Sequence, residues 1–522
     1  LPGSGSVYRR RIMKRSSGVF LHITSLPSHY GIGSLGKEAY DFARRLSASG
    51  QRYWQILPLC QPDKFGSPYA SEGSFSGNVL LIDCEKLCEY GLLSRSELPE
   101  EGGACEADFA KAERIKLPLF AKAYANLPSN ALLAEEFGDF CEENAEWLRD
   151  YALYSSISSR SGKPFYEWEK ELKFREKQAV EDYAKNNAND VEYRMFLQFL
   201  FFRQWKELKS YANSLGVGII GDIPMYVSYN SADVWSSPEE FLLDDELRPK
   251  KVAGVPPDYF SEEGQLWGNP LYNWDYMRAG GYKWWKRRIR RCAELFDALR
   301  IDHFRAFHSY WAVDADSETA KNGVWISGEG KKFVDVIKEA AGGMKLIAED
   351  LGEYEAGVQN LRKECGISGM KVLEFAFSGG SDNAFLPHNY EEDCVAYIGT
   401  HDNDTAVGWW ESLPYAEKSY VYNYTGFESD KEINRKLMKL LSRSRAETVI
   451  FCAQDIIGLS SDRRMNVPGK TGCWRFMLDG NELKSEDMDY LGEITMLFGR
   501  TASDGFDEVR RVTEKPIDIG RE

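Results

Sequence analysis

The chain has 522 residues and a formal net charge of −16, from 65 Lys and Arg against 81 Asp and Glu. Proteins that bind nucleic acid or an anionic membrane surface carry basic patches, so this acidic balance argues against both partners. No run of about 18 or more apolar residues is present, so no transmembrane helix is expected. The ten cysteines form no CxxC pair and indicate reduced thiols in a cytoplasmic protein.

Short apolar runs, separated by helical patterns, extend along most of the chain. Residues 1–12 lack the apolar core of a signal peptide, and we interpret them as an expression-tag remnant ahead of Met13. A native segment is the alternative, because residues 1–12 contain three arginines. Eight runs follow, each typical of a parallel strand buried on both faces. They are Val19–His22, Tyr53–Leu57, Val217–Gly221, Ala298–Ile301, Lys345–Ala348, Lys371–Phe377, Val395–Gly399 and Thr448–Cys452. Most precede a helical pattern such as Phe196–Tyr211, in which apolar side chains recur every three or four residues.

Eight strands with helical crossovers predict an α/β fold, a (β/α)8 TIM barrel, over residues 13–522. An open doubly wound sheet is the alternative that the pattern leaves. Two gaps between strands are too long for simple crossovers. Residues 58–216 are predicted to form a mainly helical insertion, and residues 223–297 a second insertion. The charged tail after Glu508 is expected to fray.

Four carboxylates, Asp222, Asp302, Glu349 and Asp402, follow predicted strands. A single carboxylate in that place is most often a helix N-cap. Four of them, each with polar neighbours, favour a functional site instead, because barrel enzymes carry their active sites at the carboxyl ends of the strands.

Two of these residues fit the needs of glycosyl transfer. Retaining enzymes place two carboxylates about 5 Å apart, and neighbouring strands lie about 4.8 Å apart. Asp302 and Glu349, after consecutive strands, are therefore expected to face one sugar ring. Arg300 lies two residues before Asp302 and points the same way, which would keep Asp302 ionised as a nucleophile while Glu349 stays protonated as the acid. A structural ion pair is the alternative interpretation of Arg300 and Asp302.

Three other features of the sequence are weaker indications of function. The histidines at 303, 308, 388 and 401 match no metal-binding spacing, so no metal is expected. Gly31–Gly36 reads GIGSLG, but it lies too far past its strand for a dinucleotide loop, and it is expected to open a helix at Gly36 or Lys37. Among the aromatic residues, Tyr69 and Trp267 lie in loop-like segments and are candidates either for loop packing or for stacking on sugars.

Ten longer sequence segments, called strings below, carry a resemblance to one protein family. They are Thr24–Pro27, Trp54–Leu59, Ser67–Tyr69, Gly221–Pro224, Val252–Phe260, Gly264–Pro270, Arg300–Arg305, Ala348–Gly352, Gly399–Thr405 and Arg464–Gly469. With these strings the chain resembles the amylomaltases, or 4-α-glucanotransferases, of glycoside hydrolase family 77. The resemblance runs from about Gly18 to Leu478, nearly the whole chain.

The resemblance implies roles for the matching positions. Asp302 would be the nucleophile, Glu349 the general acid and base, and Asp402 the ligand of the sugar 2- and 3-hydroxyls. The donor-sugar site would be completed by Arg300, His401, Asp222 and Tyr69. No metal or organic cofactor is expected, and the expected partners are α-1,4-glucans such as maltooligosaccharides.

The resemblance also implies a lid over the acceptor side. The loop 254–260 would be mobile and would carry Asp258, Tyr259 and Phe260, with Trp267 and Asn269 beside it. We expect Tyr259, Phe260 and Trp267 to keep water from the intermediate, so that transfer wins over hydrolysis.

The chain departs from the family pattern at several positions. They are Val79 after Ser76-Gly77-Asn78, Ala306, His308, Ser378 and Cys473. None is a proposed catalytic residue, but His308 and Ser378 leave acceptor preference open. The predicted activity is α-1,4-glucan transfer with retention, and the alternatives are an α-amylase-like hydrolase, a noncatalytic glucan-binding barrel and an NADPH-dependent reductase.

Overall fold

The computed structural model describes residues 15–63, 65–100, 103, 106–257, 261–352 and 354–501. Within these residues the strands are β1 (Ser16–Phe20), β2 (Tyr53–Gln55), β3 (Gly218–Ile223), β4 (Lys251–Val255), β5 (Gln265–Pro270), β6 (Ala298–Ile301), β7 (Ser309–Asp314), β8 (Val324–Ser327), β9 (Lys345–Ala348), β10 (Gly369–Val372), β11 (Cys394–Tyr397) and β12 (Thr448–Cys452). Eight of them form a parallel sheet in the order β10-β11-β12-β1-β2-β3-β6-β9.

This sheet closes on itself. A parallel bridge joins Ile347 to Ser368, and the Ala348 amide donates to the Ser368 carbonyl at 2.8 Å. Strand β9 therefore meets the start of β10, and the eight strands form the closed barrel that the sequence predicts. The open doubly wound alternative is wrong, because such a sheet would leave its two outer strands unpaired.

The helices of the described residues surround and extend the barrel. They are α1 (Lys37–Ala48), α2 (Cys84–Glu89), α3 (Phe109–Asn126), α4 (Ala131–Glu143), α5 (Leu148–Ser161), α6 (Lys170–Lys173), α7 (Lys177–Asn186), α8 (Ala188–Ser214), α9 (Ala232–Ser236), α10 (Trp274–Ala279), α11 (Lys283–Leu295), α12 (Gly330–Ala340), α13 (Ala356–Cys365), α14 (Ala406–Ser412), α15 (Tyr415–Thr425), α16 (Ile433–Ser442), α17 (Ala453–Ile457) and α18 (Ser485–Leu497). None of those described is both long enough and apolar enough to cross a membrane.

All eight predicted strands are present in the barrel, and the bounds of five differ from the prediction, most notably those of β3 and β10. Asp222 lies inside β3 rather than after it, because β3 pairs with β6 as far as Ile223. The run predicted at Lys371–Phe377 is a strand only over Gly369–Val372, and the chain then turns through the 3-10 helix Leu373–Phe375. The sequence pattern does not reveal that turn, because Leu373 and Phe375 continue the apolar positions of the strand through the 3-10 helix.

The segment between β2 and β3 is helical, as predicted. Helices α2 to α8 lie there, and the long α8 buries an apolar face that includes Phe201 and Trp205 in the same core as the barrel strands. Whether residues 58–216 form a separate subdomain stays a prediction. Gly31–Gly36 ends, as expected, at the N-terminus of α1, with Gly36 as the N-cap.

The second insertion builds a small antiparallel sheet in the order β5-β4-β7-β8. It takes β4 and β5 from the predicted range 223–297 and β7 and β8 from the segment after β6. The insertion thus shares a sheet with residues outside its predicted boundaries. The segments 1–12 and beyond Glu508, for which we predicted a tag remnant and a frayed tail, lie outside the described residues.

Candidate active site

The carboxyl ends of three neighbouring strands bring acidic residues together. Asp302 follows β6 directly, and its amide donates to the Ile223 carbonyl of β3 at 3.0 Å. Glu349 follows β9, and its amide donates to the Ile301 carbonyl at 3.0 Å. The parallel ladder thus continues one residue past each strand and holds Asp302 and Glu349 on adjacent strands, whose spacing is about 4.8 Å.

The buried side chain of Arg300 joins two of these carboxylates. Its Nη2 lies 2.8 Å from Asp302 Oδ1, and its Nη1 donates to both oxygens of Asp222 at 2.9 and 2.8 Å. Burial alone would lower the pKa of Arg300, but the charges of Asp222 and Asp302 raise it well above the usual value. Arg300 is therefore a permanent cation placed beside Asp302.

Asp222 is the second carboxylate that the Arg300 guanidinium contacts. It is buried, with a side chain only 1% exposed. Burial raises the pKa of Asp222, while the charge of Arg300 opposes that rise. Arg300 thus contacts both acids, of which Asp302 has a side chain that is 30% exposed. Whether the pair Arg300–Asp302 is structural or catalytic is not decided by these contacts alone.

Glu349 has a different environment from Asp302. Burial and the neighbouring charge of Asp302 raise the pKa of Glu349 to about 7. Its oxygens accept from the His303 and Leu351 amides, each at 2.9 Å, which limits the rise. Two adjacent carboxyl groups, one with a raised pKa and the other paired with a cation, can serve as an acid and a nucleophile in one site.

Tyr69 is brought to this site from a distant loop. Its hydroxyl donates to Asp222 Oδ2 at 2.6 Å and lies 2.9 Å from His401 Nε2. The rings of Tyr69 and His401 stack with centroids 5.5 Å apart, and the Trp474 ring lies 5.8 Å from that of Tyr69. The polar contacts hold the Tyr69 ring at the strand ends, and the choice between loop packing and sugar stacking for Tyr69 stays a prediction.

Asp402 lies on the loop that follows β11. Its Oδ1 accepts from Asn466 Nδ2 at 2.6 Å, and its Oδ2 lies 3.3 Å from His401 Nε2. The side chain is 40% exposed, so it remains open to a ligand. Sequence reasoning missed Asn466 and its neighbour Arg464, although both belong to the quoted string Arg464–Gly469.

The acceptor-side residues are only partly described. Asp258, Tyr259 and Phe260 lie outside the described residues. Trp267, 37% exposed, places its ring 4.8 Å from that of His303 in an edge-on contact. Asn269 donates from its side chain to the Val227 carbonyl at 2.8 Å, so it holds the loop after β3. The sugar-binding role of Asn269 stays a prediction.

Among the residues that the structure describes, no group of three or more His, Cys, Asp or Glu could hold a metal ion. Burial lowers the pKa of His303 to about 4, so this ring is neutral at physiological pH. His308, one of the departures, lies 3.0 Å from Glu355. Cys473, another departure, places its Sγ 3.4 Å from the Val467 amide, inside the loop after Asn466.

The closed barrel, with acidic residues gathered at the carboxyl ends of its strands, defines the class of the protein, a (β/α)8-barrel enzyme with a carboxylate site of the kind used on glycosides. The family model described as 4-alpha-glucanotransferase, glycoside hydrolase family 77, matches residues 21–482. The chain therefore belongs to glycoside hydrolase family 77, the 4-alpha-glucanotransferases, as its sequence predicts.

Individual relatives agree with this assignment. A 4-alpha-glucanotransferase of Clostridium butyricum is 42% identical over 487 residues, which cover 92% of this chain and 100% of the relative. The chloroplastic/amyloplastic 4-alpha-glucanotransferase DPE1 of Arabidopsis thaliana is also 42% identical, over 93% of this chain and 86% of its own. The solved amylomaltase of Streptococcus agalactiae, in complex with acarbose, superposes with a TM-score of 0.90 at 38% identity, over 94% of this chain and 100% of that one.

Proposed function

We propose that this 4-α-glucanotransferase works by retaining double displacement, with Asp302 as nucleophile and Glu349 as general acid and base. The observation that carries the assignment is the contrast between two adjacent strand ends. Asp302 pairs with the permanent cation Arg300 at 2.8 Å, while the pKa of Glu349 is raised by burial to about 7. The first carboxylate is thus ready to attack and the second to donate a proton.

In the first step, Asp302 attacks the anomeric carbon of the donor glucan. The glycosidic bond breaks, and Glu349 gives its proton to the departing oxygen. A covalent β-glucosyl ester forms on Asp302, and Glu349 is left ionised. In the second step Glu349 takes the proton from the 4-hydroxyl of an acceptor glucan, which attacks the ester, forms a new α-1,4 bond and releases Asp302.

The donor sugar is held, in this proposal, between Tyr69 and the opposite carboxylate Asp402. Tyr69 offers its ring to the sugar face, since its hydroxyl is already committed to Asp222 at 2.6 Å. The exposed oxygens of Asp402 accept hydrogen bonds from the 2- and 3-hydroxyls. His401 bridges the two, because its Nε2 lies within 2.9 Å of Tyr69 and 3.3 Å of Asp402.

The acceptor side decides between transfer and hydrolysis. We assign it to Trp267 and to the predicted lid 254–260 with Asp258, Tyr259 and Phe260. Support comes from the place of Trp267, exposed above His303, the residue next to the nucleophile. Aromatic side chains there would hold an acceptor and exclude water from the ester.

The partners that we propose are α-1,4-glucans, including maltooligosaccharides and amylose-type chains, with no cofactor. These are neutral molecules, in keeping with the acidic net charge of −16. A cytoplasmic location is supported by the described cysteines, which are all free thiols, as in a reducing compartment.

Product analysis with maltotriose tests this function. A transferase makes glucose and longer oligomers with little gain of reducing ends, whereas an α-amylase-like hydrolase would produce a large gain. Asp302→Asn and Glu349→Gln are expected to abolish both products. Full activity in Asp302→Asn would refute the assignment of the nucleophile, and binding without turnover in the unaltered protein would favour the noncatalytic glucan-binding barrel.

A further inference from the structure

Two loops cross at the edge of the active site. One is 400–404, which follows β11 and carries Asp402, and the other is 464–466, which lies beyond α17. The Asn466 amide donates to the His401 carbonyl at 3.1 Å, and the Arg464 guanidinium donates to the Asp402 carbonyl at 2.8 Å. The backbone on both sides of the Asp402 side chain is therefore fixed by the second loop.

Asn466 also contacts the carboxylate itself. Its Nδ2 donates to Asp402 Oδ1 at 2.6 Å. An amide is a neutral donor, so it orients the carboxylate without adding a counter-charge. Asp302 differs in this respect, because it is held by the cation Arg300 at 2.8 Å. The Asp402 side chain is thus oriented by Asn466 and, at 40% exposure, can accept hydrogen bonds from a sugar.

Arg464 fixes Asn466 in turn. Its Nε donates to the Asn466 carbonyl at 3.2 Å, while its Nη2 reaches the Asp402 carbonyl. Its Nη1 lies 3.7 Å from Asp404 Oδ2, and that oxygen also accepts from Ser461 Oγ at 2.8 Å. One planar guanidinium therefore spans both loops, and its five N–H groups have a fixed geometry that a lysine does not reproduce.

From these contacts we propose that Asn466 is a positioning residue for Asp402, and that Arg464 holds Asn466 in place. Asn466 acts through Asp402 and needs no contact with substrate. The inference rests on the role of Asp402 in the proposed function. The inference gives a function to residues of the string Arg464–Gly469, which the roles of the catalytic carboxylates do not explain.

The consequence is a specific kinetic defect. If Asn466 orients Asp402 toward the donor sugar, its removal loosens a contact that matters most in the transition state, so kcat falls while KM changes little. A misplacement of the order of 1 Å can reduce a rate by about a hundredfold. A residue that only stabilised the loop would lower the unfolding temperature without this kcat-specific loss.

Two substitutions of Asn466 separate hydrogen bonding from packing. Asn466→Ala removes the donor and the volume, whereas Asn466→Asp keeps the shape but cannot donate from an ionised carboxylate. We expect each to lower kcat for maltotriose disproportionation about a hundredfold, with KM changed less than about threefold. Wild-type kcat in Asn466→Asp would show that packing alone matters and would overturn the inference.

A double-mutant cycle shows whether Asn466 acts through Asp402. Adding Asn466→Ala to Asp402→Asn should cause no further loss, because the acceptor of its hydrogen bond has already changed. Additive losses would refute the inference. Lys470→Ala, at an exposed position of the same loop, is the matched control and should retain kcat, and thermal unfolding of every variant checks the fold.

The roles of Asp402 and of Asn466 can be refuted separately. A fully active Asp402→Asn variant would refute the role of Asp402 and with it the proposed donor site. A deficient Asp402→Asn beside an unaffected Asn466→Ala would refute only the positioning role. In Arg464→Lys we expect a smaller kcat loss than in Arg464→Ala, because the ammonium can keep one of the two carbonyl contacts.

Discussion

Arg300 contacts both the buried Asp222 and the proposed nucleophile Asp302. The variant Arg300→Gln is therefore expected to change the stability of the barrel as well as its activity. The guanidinium, 4% exposed, contacts Asp222, whose side chain is 1% exposed. It also contacts Asp302 at 2.8 Å. Glutamine preserves much of the length but removes the charge, so two carboxylates lose their shared cation in a buried position.

The magnitude follows from the burial of Asp222. Breaking a buried ion pair by removal of one partner costs about 3–5 kcal/mol, because the other charge stays buried and unpaired. Asp302 adds little to this value, since its side chain is 30% exposed and water screens it. We therefore expect Arg300→Gln to lose about 3–5 kcal/mol of unfolding free energy at neutral pH, measured by urea unfolding.

The loss should depend on pH in a defined direction. Burial already raises the pKa of Asp222 in the folded state above its ordinary value, with Arg300 opposing that rise. Without Arg300 the folded-state pKa of Asp222 rises further, so the stability of the variant is retained at low pH and lost as pH increases through that pKa. The difference between variant and wild type should thus grow from acidic to neutral pH.

A surface ion pair provides the matched control. Arg445 lies 2.9 Å from Glu392, but both side chains are more than half exposed, at 64% and 58%. Arg445→Gln should change the unfolding free energy by less than about 1 kcal/mol and should not affect kcat. If Arg300→Gln destabilises the protein equally at all pH values, or no more than Arg445→Gln, the explanation by an unpaired buried Asp222 is wrong.

Three further predictions address the site and the core. The pKa of Glu349 is about 7, so kcat/KM should fall as pH rises through about 7, because the general acid loses its proton. A fall of kcat/KM in the ordinary pH range of carboxyl titration would contradict this prediction. Tyr69→Phe removes a 2.6 Å hydrogen bond to Asp222 and should lower kcat/KM for maltotriose about ten- to a hundredfold, whereas unchanged kinetics would show that only the ring matters. Gly77→Ala would drive a methyl group into the buried ring of Phe201 and should cost about 1–3 kcal/mol in urea unfolding; a neutral result would mean that the ring moves aside freely.

Much of the fold follows from local patterns in the sequence. Strands buried on both faces need continuous apolar runs, and such runs predict all eight barrel strands. The prediction is less accurate where apolar residues continue through a turn. Leu373 and Phe375 do so, and Lys371–Phe377 is therefore predicted as one strand although its middle is a 3-10 helix. The antiparallel sheet β5-β4-β7-β8 was also not predicted, because its strands come from two separate segments of the chain.

The carboxylates of the site are likewise accessible from sequence alone. Asp302 and Glu349 each follow a strand, and strand ends in a parallel barrel converge at one rim whatever the rest of the chain does. Arg300 was predicted for the same reason, since alternation along a strand puts residues 300 and 302 on one side. The family strings then specify the glucan and the transfer reaction, which the family assignment confirms.

Only the tertiary structure decides which distant residues serve these carboxylates. Tyr69 reaches Asp222 across 153 positions, and Asn466 reaches Asp402 across 64; neither separation follows any helical or strand period. The pKa of Glu349 depends in the same way on burial and on the neighbouring charge of Asp302, which exist only once the barrel closes. The sequence alone therefore predicts that the acidic residues Asp302 and Glu349 lie at strand ends, because a strand end is a local feature of the chain. Their charge states and orientation arise from contacts that the folded chain alone creates.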